Sequence, residues 1–121
     1  MSLYKKNIGK IGEKISIDYL QKKNFIIIER NFRCRLGEID IIARTGDKIS
    51  FIEVKTRIGT NKGKPYESVN KSKLWHIKRT ANYFLLINEI KECKLSVDII
   101  SIVLNDDLSV QKLDFFEGVE F

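Results

Sequence analysis

Charged side chains interrupt two segments whose other residues are typical of buried strands. Asp40 lies within the apolar segment 36–44, and Glu53 and Lys55 lie within the segment 49–56. A charge in a half-buried strand is costly unless it is paired or binds a metal ion. Two carboxylates on adjacent strands, with a lysine close by, therefore predict a Mg²⁺ site that has a cation beside it. The chemistry of such a site is hydrolysis of phosphodiester bonds.

The alternation of strand side chains sets the expected geometry. A period of two residues puts Glu38 and Asp40 on one face of their strand, opposite Ile39 and Ile41. Twelve residues separate Asp40 from Glu53, and a tight hairpin over that length puts the two acids on neighbouring strands. Because a register shift of one residue would reverse the faces, same-face placement stays open at this point.

A structural interpretation of the lysine is also open. The ammonium group of Lys55 could pair with Glu53 or with Asp40 and have no part in chemistry. An ion pair of this kind would satisfy the buried charges without any metal ion.

Composition limits the class of protein. The chain has 121 residues, 43% of them apolar and 31% charged, which is ordinary for one folded domain over residues 1–121. No apolar run approaches the roughly 20 residues that a membrane span needs. No apolar region follows the basic N-terminus, so no signal peptide is expected. Two cysteines without framework spacing, and a single histidine, predict reduced thiols in the cytoplasm and no zinc site.

The net charge of +6 is unevenly distributed along the chain. Residues 55–85 carry eight basic side chains and one acidic side chain, whereas residues 86–121 carry three basic and eight acidic side chains. This asymmetry favours a polyanionic partner on one face, although a solvated lysine-rich surface is the alternative. The basic residues expected to contact phosphates are Arg33, Arg57, Lys62, Lys64, Lys71, Lys73 and Lys78.

The pattern of apolar residues predicts two helices and five strands. Their order is α-β-β-β-α-β-β, which predicts an α/β sandwich with a mixed central sheet flanked by helices. The expected helices span residues 8–23 and 70–88, and the expected strands span residues 25–31, 36–44, 49–56, 95–104 and 108–116.

Small residues form a strip on the first predicted helix. Gly9, Gly12 and Ser16 would let this helix approach the sheet closely. Glu13 borders the strip, so its carboxylate could reach the strands, while a solvent-facing glutamate is the alternative.

Two aromatic residues near the second predicted helix could stack on exposed bases. Core packing is the favoured interpretation for Trp75, whereas Tyr66 is left open.

A series of short motifs runs through nearly the whole chain. In order, they are Gly9-x-x-Gly12-Glu13, Tyr19-Leu20, Arg30-Asn31-x-Arg33, Gly37-Glu38-Ile39-Asp40, Glu53-Val54-Lys55-Thr56-Arg57, Pro65-x-Glu67 and Lys73. The series resembles the bacterial YraN family of predicted endonuclease-like proteins. That family is similar to a branch of the PD-(D/E)XK nuclease superfamily, related to archaeal Holliday junction resolvases. The resemblance implies a restriction-endonuclease-like fold.

The resemblance also implies roles for individual residues. Asp40 and Glu53 match the two metal-binding acids, and the backbone carbonyl of Val54 would be a further ligand. Lys55 matches the lysine that orients or polarises the attacking water. Glu13 matches the acid that resolvase-like members place on the first helix, where it would serve both the metal ion and the reaction.

Three positions fit the pattern less closely. Glu38 belongs to the YraN pattern without a firm role, and would either accept a hydrogen bond beside the metal ligands or hold a nearby arginine. Ile39 replaces the proline in the name of the superfamily motif. Ser96 stands two residues before Asp98, where YraN proteins usually carry arginine, and this weakens any role for that stretch.

The leading hypothesis is a cytoplasmic endodeoxyribonuclease that uses Mg²⁺ or Mn²⁺, needs no small-molecule cofactor and acts on structured or branched DNA. The substrate class is implied by the resemblance, as is a homodimer, since resolvase-like relatives act as dimers. One alternative is a nucleic-acid-binding module that keeps the fold with little turnover. Another is a scaffold protein whose basic face docks an acidic partner.

Overall fold

The structure is a computed structural model that describes residues 3–61 and 63–119. Lys62, one of the residues expected to contact phosphates, lies outside the described residues. The elements in chain order are α1 (Leu3–Lys22), β1 (Ile26–Cys34), β2 (Gly37–Thr45), β3 (Lys48–Ile58), a 3-10 helix (Pro65–Ser68), α2 (Lys71–Ile87), β4 (Lys94–Leu104) and β5 (Val110–Phe116).

The element order follows the sequence expectation, with local differences in the bounds. The first helix begins at Leu3, ahead of the expected residue 8, and β1 runs on to Cys34. The 3-10 helix Pro65–Ser68 was not expected from the sequence. No helix within residues 3–61 and 63–119 is long and apolar enough to cross a membrane.

The described strands form one five-stranded sheet in the order β1-β2-β3-β4-β5. All neighbours are antiparallel except β3 and β4, which run parallel. A parallel pair needs a long crossover connection, and here the 3-10 helix and α2 provide it. The predicted mixed sheet is therefore confirmed.

The two α-helices in the described part of the chain cover opposite faces of this sheet. Leu20 of α1 packs in one buried cluster with Ile52. Ile77 of α2 packs in a second buried cluster with Phe51, the residue next to Ile52 on β3. Because consecutive strand residues point to opposite faces, the fold has three layers, helix, sheet and helix.

The alternation predicted for β2 is wrong at Asp40. Ile41 packs on the α1 face and Ile39 packs on the α2 face, although both were expected on one face. The paired register of β2 with β3 ends at Ile41 opposite Ile52. Val54 donates its backbone N–H to Asp40 Oδ2 at 2.8 Å. This bond to a side chain takes the place of the next backbone hydrogen bond between β2 and β3. The strands separate at Asp40, and the break in pairing lets the side chains change faces.

The predicted close approach of α1 to the sheet is confirmed at one glycine. A Cβ atom added at Gly12 would overlap the side-chain hydroxyl of Thr56 on β3, whereas one added at Gly9 would meet nothing within 4 Å. Ser16 fits beside Gly12 because its hydroxyl donates to the Gly12 carbonyl at 2.8 Å. The contact with Thr56 fixes α1 against β3 one residue after Lys55.

The second helix is capped where the sequence predicts its ends. The side chain of Asn70 accepts the Lys73 backbone N–H at 2.9 Å, which satisfies a free donor of the first turn. Asn88 follows the last helical residue, Ile87, and its side-chain amide donates to the Phe84 carbonyl at 2.9 Å. The first turn, which carries Lys73, is thereby fixed above the sheet.

Candidate active site where β2 and β3 separate

The two predicted metal-binding acids meet at the point where β2 leaves β3. The backbone N–H of Val54 holds the Asp40 carboxylate through Oδ2 at 2.8 Å. Glu53 lies on β3, retains only 5% of its surface exposed, and is close enough to Asp40 for the charge of that carboxylate to raise its pKa. Two adjacent carboxylates repel each other, so the charge of Asp40 favours a proton on Glu53. The structure thus brings the two acids together, as the hairpin spacing suggested.

Two lysines from different elements approach the same carboxyl group. The Lys55 ammonium lies 4.0 Å from Glu53 Oε1 and the Lys73 ammonium lies 3.5 Å from Glu53 Oε2. Lys55 lies two residues after Glu53 on β3, while Lys73 lies in the first turn of α2. Within the described residues Glu53 Oε2 is buried and makes no hydrogen bond, so the Lys73 ammonium is its close charged neighbour. Lys73 was expected to contact phosphates, and its place in the motif series with Asp40, Glu53 and Lys55 is the one sequence signal that links it to this site.

The protonation of Glu53 follows from its surroundings. Burial, and after it the nearby charge of Asp40, raise the pKa of Glu53 from 4.5 to about 8, against the smaller lowering effects of Lys73 and Lys55. Glu53 therefore holds a proton at pH 7 in the metal-free protein. A divalent cation held by Glu53 would have to displace that proton, so its binding would depend on pH.

Glu13 does not join the two acids. Its Oε1 accepts from Arg30 Nε at 3.3 Å and from Asn31 Nδ2 at 3.0 Å, both on β1. Across residues 3–61 and 63–119, no three His, Cys, Asp or Glu side chains gather closely enough to share a metal ion. The expected third acid is therefore not brought into the site, because β1 holds its carboxylate. The solvent-facing alternative does not describe Glu13 either, since it is ion-paired.

Glu38 holds an arginine, which is one of its two expected roles. Arg33 and Glu38 are directly opposite each other on β1 and β2, and Arg33 Nε lies 3.0 Å from Glu38 Oε2. Both side chains are exposed. Glu38 is thus engaged on the surface beside the site, and Arg33 carries a partner carboxylate.

The other basic residues are spread over β3, the connection and α2. Arg57 follows Lys55 by two residues on β3 and shares its face. The Lys64 ammonium lies 5.8 Å from the centre of the Tyr66 ring. Lys71 and Lys78 are exposed on α2. Their contacts with phosphates stay predictions.

The donor set fits a hard divalent cation. Mg²⁺ prefers oxygen ligands and keeps several of its waters, so two carboxylates are enough to hold it. Asp40 and Glu53 supply these carboxylates, and the Glu53 oxygen without a hydrogen bond is available as a ligand once Lys73 moves away. The site therefore suits a cation held by two acids and water, not one enclosed by protein ligands.

Trp75 is placed differently from the favoured interpretation. Core packing was expected, but Trp75 retains 49% of its surface exposed. Leu74 and Ile77 on either side of it are buried against the sheet, which turns Trp75 toward solvent. The helical period contains this signal, since Trp75 falls outside the stripe formed by the buried residues.

Comparison with known sequences gives the family. The family profile described as "Uncharacterised protein family UPF0102" matches residues 12–102 of this chain. The chain belongs to the UPF0102 family. UPF0102 is the YraN family, so the resemblance seen in the motifs is confirmed at this level. The matched residues include Asp40, Glu53, Lys55 and Lys73, so the profile spans the candidate site.

Individual members of UPF0102 are similar over most of their length. A UPF0102 protein of Clostridium tetani is 45% identical over 114 residues, covering 92% of this chain and 93% of the relative. One from Dictyoglomus thermophilum is 47% identical over 100 residues, covering 83% and 85%. One from Clostridium perfringens is 42% identical over 117 residues, covering 97% and 96%.

Proposed function

We propose that this UPF0102 protein is an endonuclease that depends on Mg²⁺ or Mn²⁺ and hydrolyses phosphodiester bonds in structured or branched DNA. The observation that carries the proposal is the meeting of Asp40 and Glu53, with two lysines, where β2 and β3 separate. Acids that lie close together in a buried site are costly to ionise, and a bound cation would relieve that cost.

Each residue of the site has a part in this proposal. When bound, the metal ion would neutralise charge at phosphorus and lower the pKa of a water. Asp40 is oriented for ligation because the Val54 N–H fixes one of its oxygens. Glu53 would have to lose its proton to hold the metal ion as a carboxylate. Lys55 lies close enough to Glu53 to orient the attacking water on the same face.

The architecture supports the superfamily assignment. The acids lie on adjacent antiparallel strands, β3 pairs in parallel with β4, and helices cover both faces of the mixed sheet. These features fit a restriction-endonuclease-like sandwich. Cys34 and Cys93 are free thiols, which suits a protein that works in the cytoplasm.

A cleavage assay tests the proposal. Linear, flap and four-way-junction DNA would be incubated with Mg²⁺, Mn²⁺ or EDTA. We expect metal-dependent cuts that Asp40→Asn, Glu53→Gln and Lys55→Ala each abolish. Asp47→Asn and Lys94→Ala are matched controls, because this exposed pair lies away from the site, and both should cut like the parent protein. Cleavage that survives Lys55→Ala at the parent rate would exclude that lysine from the reaction.

A second candidate function has one observation in its favour. Two lysines already place positive charge beside Glu53 without a metal ion, and Glu13 is engaged elsewhere. A nucleic-acid-binding module with the same fold and little turnover would have this arrangement. Salt-dependent DNA binding, with no cleavage of any DNA structure by the parent protein, would favour this candidate.

A further inference from the structure

The outer face of α2 carries an exposed tryptophan next to an arginine. Trp75 points away from the sheet and keeps 49% of its surface exposed. The Arg79 guanidinium lies 4.7 Å from the centre of the Trp75 ring, as expected for residues one helical turn apart. The His76 ring meets the indole edge-on, at 5.2 Å between centroids. These neighbours limit the freedom of the indole while leaving much of its surface accessible.

The charge around this aromatic residue complements a polyanion. None of residues 69–88 is acidic, and the helix carries four basic side chains, Lys71, Lys73, Lys78 and Arg79. Lys71, Lys78 and Arg79 are exposed. An aromatic ring surrounded by cations is the arrangement with which proteins bind single-stranded nucleic acids, the cations at the phosphates and the ring against a base.

The aromatic ring decides which form of DNA fits. In a duplex, neighbouring base pairs cover the faces of each base, whereas an unpaired base can place its face on an indole ring. Lysines alone would bind duplex and single strands through the phosphates. The indole therefore favours a single-stranded segment.

We propose that Trp75, with Arg79 on its ring, is a stacking site for an unpaired base of single-stranded DNA. The site lies on the helix whose first turn brings Lys73 to Glu53, so a branched substrate would place its unpaired arm along α2. The proposal rests on the proposed function for its ligand, DNA, and it specifies the single-stranded arm that the substrate must have.

The single tryptophan makes the test direct. The chain contains one Trp, so fluorescence excited selectively at tryptophan reports on Trp75 and not on the four tyrosines. A single-stranded oligonucleotide of mixed sequence and the blunt duplex of the same sequence would each be titrated in EDTA, which prevents metal-dependent cleavage. We expect saturable quenching by the single strand and much weaker quenching by the duplex.

Variants separate stacking from charge. Trp75→Ala should weaken single-strand binding by about tenfold, measured by anisotropy of a labelled oligonucleotide, and duplex binding by less than about twofold. Trp75→Phe keeps an aromatic ring and should recover most of the affinity. Tyr83→Ala removes another exposed aromatic side chain of α2 and should bind like the parent protein. Melting curves would check that each variant is folded.

The outcomes distinguish this proposal from the proposed function. Single-strand binding without quenching, or equal losses for both DNA forms in Trp75→Ala, would overturn the stacking site and leave the nuclease proposal intact. No binding to either DNA would refute DNA as the ligand, and the stacking site with it. A concentration-dependent shift of the fluorescence without DNA, lost in a Leu86→Ala variant, would instead assign this face to a second copy of the chain.

Discussion

Replacing Glu53 with glutamine should remove a pH dependence from the stability of the metal-free protein. Burial, and after it the nearby charge of Asp40, raise the pKa of Glu53 to about 8 in the folded state. In the unfolded chain the pKa returns to its ordinary value of 4.5. Between these values the folded protein keeps a proton that the unfolded chain has lost. The free energy of unfolding therefore falls as the pH rises through this window.

The magnitude follows from the two pKa values. Each pKa unit corresponds to about 1.4 kcal/mol, so the rise from 4.5 to about 8 corresponds to about 5 kcal/mol in total. The stabilisation that the folded protein gains from keeping this proton is fully present below pH 4.5. It is reduced by about 3 kcal/mol at pH 7 and is lost above pH 8. Glutamine cannot ionise. The free energy of unfolding of Glu53→Gln, relative to that of the parent protein, should therefore increase by about 1.4 kcal/mol per pH unit across this window.

Urea unfolding in EDTA at intervals between pH 5 and pH 9 measures the effect. The difference between Glu53→Gln and the parent protein should increase with pH and level off above pH 8. Glu29→Gln, at an exposed position on β1, is the matched control and should follow the parent curve. If Glu53→Gln and the parent protein instead run parallel from pH 5 to pH 8, Glu53 does not hold a buried proton and the description of the site is wrong.

Three further predictions concern metal binding, DNA binding and packing. Mn²⁺ or Mg²⁺ at ten times its dissociation constant should stabilise the parent protein by about 1.4 kcal/mol and raise its melting temperature by a few degrees. The Asp40→Asn variant should show no metal-induced rise in melting temperature, and without metal it should be at least as stable as the parent protein. A large loss of stability without metal would mean that Asp40 stabilises the fold and is not a metal ligand. Binding to duplex DNA should weaken with salt at a log–log slope of roughly −4 to −5 if about five phosphates are contacted, and Lys71→Ala should reduce the slope by about 1. A slope near zero in anisotropy titrations would point to a protein partner. Gly12→Ala should destabilise the fold by about 1–3 kcal/mol, measured by urea unfolding, because the added methyl group would overlap Thr56. Gly9→Ala is the control and should be neutral or stabilising. Equal effects of the two substitutions would mean that α1 can move away from β3.

Local sequence signals predict the elements of this fold well. The asparagines that flank α2 are capping residues, and the expected tight hairpin joins β2 to β3 through a turn at Gly46, which has a positive φ. These signals act over a few residues, so they can be recognised without the rest of the chain. The meeting of Asp40 with Glu53 follows from the same hairpin.

Contacts between distant segments account for what the sequence did not predict. The face change at Asp40 requires β2 to leave β3, whereas a period of two assumes unbroken pairing. Glu13 is held by Arg30 and Asn31, and α2 brings Lys73 to Glu53 across the sheet face. The contacts of Glu13 and of Lys73 both depend on how the helices pack on the sheet, which no short motif specifies.

Diffraction from crystals soaked in millimolar Mn²⁺ tests the central claim most directly. The anomalous scattering of manganese locates each bound ion independently of the protein atoms. The proposed function predicts a peak in contact with the carboxylates of both Asp40 and Glu53, with the Lys73 ammonium displaced from Glu53 Oε2. Crystals that show no manganese at these acids, with Lys73 still paired to Glu53, would contradict the assignment of a metal-dependent nuclease site.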